Sequence, residues 1–194
     1  MGGMTPLPAP DSALGLLLNR RSCHSVRAPG PDDAELALIL RAALRVPDFQ
    51  RLRPYRFLAA RDEGLDRLGQ AMQRAAVAAG RSEAEIARTP RMPHRAPLVI
   101  TVVASPRPSA VVPLFDQQLC AASSVLTLQL AARALGYGGL WRSGWLMYDR
   151  GFHRELGLGE DEQIVGFLYL GTPQRAEETT HEAVPDPHDV LRWI

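Results

Sequence analysis

The chain has 194 residues, 46% of them hydrophobic and 22% charged, which suits one globular domain with a sizeable core. A formal net charge of +1 gives no reason to expect nucleic acid or an anionic membrane as a partner. All 22 basic residues are arginine, which excludes a Walker-type phosphate loop, a pyridoxal Schiff base and a lysine general base, whereas arginine suits bidentate phosphate contacts.

Residues 1–10 show no charged-then-apolar signal pattern and read as a flexible leader to a single domain over residues 11–194. Asp11 or Ser12 can cap a first helix with the apolar stripe Leu14, Leu17 and Leu18. That helix ends in Asn19-Arg20-Arg21-Ser22, a cationic turn that either complements the helix C-terminus or offers several donors to one phosphate. Cys23 and Cys120 lie far apart, in no paired motif, and read as reduced thiols of a cytoplasmic protein.

Pro31-Asp32-Asp33-Ala34-Glu35 starts a second helix, with Asp32 as cap, Glu35 in the capping-box position and Leu36, Ile39, Leu40 and Ala43 as its buried face. The helix must stop near Arg45-Val46-Pro47, because proline restricts the residue before it to extended backbone. Residues 48–54 follow as a polar loop and residues 55–60 as a strand. Residues 62–89 have a helical pattern, broken at Gly80-Arg81-Ser82, where Ser82 can cap a second piece.

Residues 97–104 are apolar on both faces and predict a central strand. A helix with almost no polar face follows over residues 119–135, placing it in a core or between subunits. Gly136 stops it in the left-handed conformation, and Gly138-Gly139 permit close backbone approach before a short strand at residues 140–143. On that strand Trp141 and Ser143 face one side and Arg142 the other. A short helix at residues 149–156, a second buried strand at residues 163–170 and an extended arm from 174 to the apolar end Val190, Leu191, Trp193 and Ile194 complete the chain.

The five histidines show no spacing with cysteine or paired carboxylates that would hold a metal, and no G-x-S-x-G elbow occurs. Gly136-Tyr137-Gly138-Gly139 follows a helix and precedes a strand, the reverse of a dinucleotide fingerprint.

Asn19-Arg20-Arg21-Ser22, Arg45-Val46-Pro47-Asp48, Arg53-Pro54-Tyr55-Arg56-Phe57, residues 138–144 and residues 165–173 occur in the order seen in the nitroreductase family, which the chain resembles from about residue 13 to 187. The similarity is closest to the short bacterial YdjA-like branch. The resemblance implies an α+β fold with a mixed, mainly antiparallel sheet surrounded by helices, an extended C-terminal arm, and a homodimer with FMN at the subunit interface. It implies hydride uptake from NADH or NADPH and reduction of nitroaromatics, quinones or similar acceptors by a ping-pong mechanism, with no side-chain acid or base required.

Carried over by position, Arg20, Arg21 and Ser22 match the first flavin motif, around the phosphate and ribityl chain. Arg45 matches a residue near the ring, and Trp141, Arg142 and Ser143 match the later flavin motif. Ala131, Ala132, Arg133, Ala134, Leu135 and Gly136 match a segment assigned to the nicotinamide nucleotide. Phe49 stands where the branch leads one to expect histidine, which keeps open an alternative: a flavin-binding, storage or sensing protein without turnover.

Overall fold

Strand β3, Leu98–Ala104, is buried along its whole length in the computed structural model, which describes residues 12–175 and 186–194. It is buried because both its neighbours and both its faces are covered. β2 (Tyr55–Arg61) pairs with one edge and β5 (Gln163–Pro173) with the other, while β4 (Gly138–Arg142) pairs with the far edge of β5 and the two-residue β1 (Val26–Arg27) with its last residues, Thr172 and Pro173. Every described pairing is antiparallel, and the order is β1-β5-β3-β2 with β4 on β5.

Alternation along β3 divides the core between two layers. Leu98, Ile100 and Val102 pack with Ile39, Ala43, Val125 and Leu128 of α2 (Asp33–Ala43) and α5 (Leu114–Ala134). Val99 and Val103 turn to the opposite layer, where Leu65, Leu68 and Met72 of α3 (Glu63–Ala78) meet Phe152 of α6 (Arg150–Glu155). The expected reading of residues 97–104 as a central, double-faced strand therefore holds.

The capping signals work as their chemistry requires. Ser12, rather than Asp11, caps α1 (Ala13–Leu18) by accepting from the Gly15 N–H at 2.9 Å. Asp32 accepts from the Glu35 N–H at 2.8 Å while Glu35 accepts from the Asp32 N–H at 3.0 Å, a closed capping box. Ser82 caps α4 (Glu83–Arg88) through the Glu85 N–H, and Asp149 caps α6 through the Phe152 N–H.

Three elements differ from expectation. α5 begins at Leu114, five residues before the expected start, because Gln117 turns inward and bonds the loop before the helix instead of marking a polar boundary. β4 occupies Gly138–Arg142, so the glycine pair lies inside the strand and Ser143 beyond it. β1 has no sequence signal of its own; two residues suffice because β5 runs on through Gly171 and Thr172 to Pro173. The leader and residues 176–185 of the arm lie outside the described residues.

Candidate functional site

The arginine motif and the glycine turn are stitched together at the free edge of β4. The Cys23 N–H donates to the Gly139 carbonyl at 2.9 Å, and the same oxygen accepts from Gln129 Nε2 at 2.8 Å. Gly138 is required here, because a Cβ would sit 2.7 Å from Cys23 Sγ and 3.0 Å from Val26 Cγ1. Two motifs more than a hundred residues apart in sequence thus converge, and the half-buried Arg20 and Arg21 with the exposed Ser22 precede that junction directly.

Trp141 and Arg142 point to opposite faces of the sheet, as strand alternation requires. Trp141 lies over Gly166 of β5, where any side chain would collide with the indole, and remains partly exposed. Arg142 crosses the other face with its guanidinium 5.3 Å from the centroid of the buried Tyr169 ring. Its Nε is buried and has no hydrogen-bond partner among the described residues. Burial, followed by the positive charge of Arg95, lowers the Arg142 pKa, and Tyr169 opposes the shift. A guanidinium N–H withdrawn from water without an acceptor is costly, so this setting suits an acceptor supplied by a ligand.

Arg45 is exposed at the end of α2 and begins a loop of unusual backbone. Gln50, Arg51 and Arg53 have φ of 63°, 54° and 49°, and none is glycine. The Asp48 carboxylate holds the loop in this shape by accepting from the Leu52 N–H at 3.0 Å and the Arg53 N–H at 2.8 Å. Phe49 is 70% exposed, so it is not a core residue. One side of the loop, with Arg45, borders an open groove of about 520 Å³; the other, with Phe49, borders an apolar hollow of about 290 Å³ against the N-terminal half of α5.

The segment assigned to the nicotinamide nucleotide forms the last turn of α5 and its stop. Ala132 is fully buried in the core and Ala131 is half-buried, whereas Ala134, Leu135 and Gly136 face outward. A helix C-terminus repels phosphate, and Arg133 in the last turn is the residue of the segment whose charge opposes that effect. Gly136, at φ 88°, ends the helix as expected.

Sequence reading passed over two contributors. Gln129 faces the core from an apolar helix and pins the Gly139 carbonyl. Tyr137 donates to Glu35 Oε2 at 2.6 Å, which pushes its own pKa up to about 12 and ties the glycine turn to the start of α2. A polar residue at a helix-core position was the available signal for the first; nothing local signalled the second.

A sequence profile described as the Nitroreductase family matches residues 17–172. The chain belongs to the nitroreductase family. It is 42% identical over 182 residues to the Escherichia coli (strain K12) protein named "Putative NAD(P)H nitroreductase YdjA", a match covering 94% of this chain and 99% of that one. Among solved structures, the nitroreductase-like family protein from Bacillus cereus superposes with a TM-score of 0.80 at 23% identity, covering 100% of this chain and 98% of that chain. The FMN-dependent nitroreductase from Clostridium difficile R20291 gives 0.67 at 21% identity, covering 93% and 98%. These likenesses show the nitroreductase fold, and membership of the family makes the chain an oxidoreductase. In this chain the junction of residue 23 with Gly138 and Gly139 joins two motifs that are separate in sequence.

Proposed function

We propose that this protein is a single-domain, cytoplasmic, homodimeric FMN-dependent oxidoreductase that takes hydride from NADH or NADPH and reduces nitroaromatic, quinone or similar acceptors. The observation that carries the proposal is Arg142 Nε, buried without a partner among the described residues on β4, the strand whose opposite, glycine end meets the arginine motif. This donor set fits an FMN: guanidiniums and a hydroxyl for a phosphate, and an aromatic wall at Trp141.

FMN, when bound, supplies the hydride and electron-transfer chemistry. The chain's own residues bind and orient. Arg20, Arg21 and Ser22 would offer charge-assisted bonds to the phosphate, and Arg142 a further donor. Arg45 would place a positive charge where negative charge develops on reduction. Phe49 adds an apolar surface without a hydrogen-bond donor, at the position where histidine was expected.

The exposed apolar surface supports a homodimer. Leu14, Leu17, Leu38, Leu119 and Leu126 are each between 41% and 55% exposed, and Phe115 is 65% exposed, although α5 buries Gln117, Ser124 and Gln129. A helix that hides glutamines and shows leucines has its second apolar face directed at another chain. Val190 and Trp193 at the chain end are also exposed and available to a neighbour.

Initial-rate kinetics test the mechanism. Because donor and acceptor share one stacking surface, double-reciprocal plots at several acceptor concentrations should be parallel. Intersecting lines would contradict a shared site.

A further inference from the structure

The groove behind Arg45 carries more charge than cofactor binding requires. Arg45, Arg51 and Arg53 line it together with Asp48 and Tyr55, and Leu44 and the buried Val46 add only a narrow apolar margin. None of the three arginines has an ion-pair partner among the described residues. The one carboxylate in the groove is engaged by the backbone N–H groups of Leu52 and Arg53. Arg51 and Arg53 are displayed from positive-φ backbone, which asparagine or glycine would adopt at lower cost. Burial first, then Asp48, raises the Tyr55 pKa, so its phenol stays protonated and keeps its donor.

We propose that this groove is an anion subsite for a reactant: it takes substrates whose aromatic or nucleotide body occupies the shared stacking surface while a carboxylate or phosphate meets Arg51 and Arg53. The inference deepens the reading above and rests on Arg45 facing the flavin ring, which places the groove beside the shared stacking surface. A carboxylate on the acceptor and the 2′-phosphate of NADPH present the same chemistry to a guanidinium pair. At exposed arginines such contacts are screened by salt, so the effect is a selectivity and not a requirement for turnover.

Calorimetric titration of the FMN-loaded protein separates the two sources. The probes are 4-nitrobenzoate against 4-nitrobenzamide, and 2′,5′-ADP against 5′-AMP. Arg51→Asn/Arg53→Asn removes both charges with a residue that tolerates the left-handed backbone. The charged member of one pair should bind wild type roughly three- to tenfold more tightly than its counterpart. That preference should shrink with added salt and vanish in the double variant, whereas Arg67→Ala, on α3, should preserve it. A preference confined to the benzoate pair assigns the subsite to the acceptor, and one confined to the nucleotide pair assigns it to the donor. Absence of both preferences in wild type, or survival of the preference in the double variant, overturns the proposal. Because binding is read without turnover, this outcome is independent of whether the protein proves to be a reductase.

Discussion

Arg142 and Phe49 show at the scale of single residues how burial assigns roles that residue type leaves open. The sequence placed Arg142 in a flavin motif by resemblance, and strand alternation put it opposite Trp141; only the folded chain shows its Nε withdrawn from water beside Tyr169. Replacing Arg142 by methionine, which keeps much of the apolar volume, should weaken FMN binding by about ten- to hundredfold, the loss of one charge-assisted bond. Titration of the apoprotein with FMN reads this directly, and an unchanged dissociation constant would remove Arg142 from the site. A phenylalanine in such a loop can either face a ligand or pack as ordinary core. Its 70% exposure eliminates the second. Phe49→His should therefore change stability by less than about 0.5 kcal/mol while shifting the ratio of nitroaromatic to quinone rates. A large fall in melting temperature with an unaltered ratio would contradict this.

At the scale of elements, helix caps and apolar periods were legible because they act within a few residues. The Asp32–Glu35 box and the Ser82 cap formed where their spacing placed them. β1 and the early start of α5 were not legible, because each depends on a distant partner: β5 for one and the loop at residues 107–112 for the other. The same is true of the polar cluster that joins α6 to β5. His153, 1% exposed, lies within hydrogen-bond distance of the Met147 carbonyl through Nε2 (2.9 Å) and of Arg150 Nη1 through Nδ1 (2.7 Å). An arginine can only donate, so the bonded tautomer is the neutral one with its proton on Nε2. Burial is the main cause that lowers its pKa from 6.5. The neutral imidazole stabilises the fold fully above pH 6.5, and that contribution is lost as pH falls through the lowered value. The Arg56 guanidinium, the leading cause, holds Glu162 down at about 2, so its contribution is kept above about 4.5 and lost only towards pH 2. Denaturant midpoints should thus fall as the pH drops below 6.5 in wild type and fall less in His153→Gln. Equal slopes in the two proteins would show that His153 does not govern this window.

At the scale of the whole molecule, the central sheet was readable from two apolar runs, but which face of α5 stays exposed was not. An apolar period cannot say which of two faces a helix buries against its own chain. In α5 the glutamines take the inner face and Leu119, Leu126 and Phe115 the outer one. Phe115→Asp/Leu119→Asp should leave the monomer folded, since both side chains are at least half exposed, yet abolish dimerisation and with it most FMN affinity. Sedimentation with and without FMN checks this, and a monomer that binds FMN as tightly as wild type would separate the two events. The central claim, an oxidoreductase that works through flavin, is tested most directly by one anaerobic spectrum. The FMN-loaded protein should be yellow, bleach on addition of NADH or NADPH and recolour with menadione; protein that binds FMN yet stays yellow with both donors would contradict it.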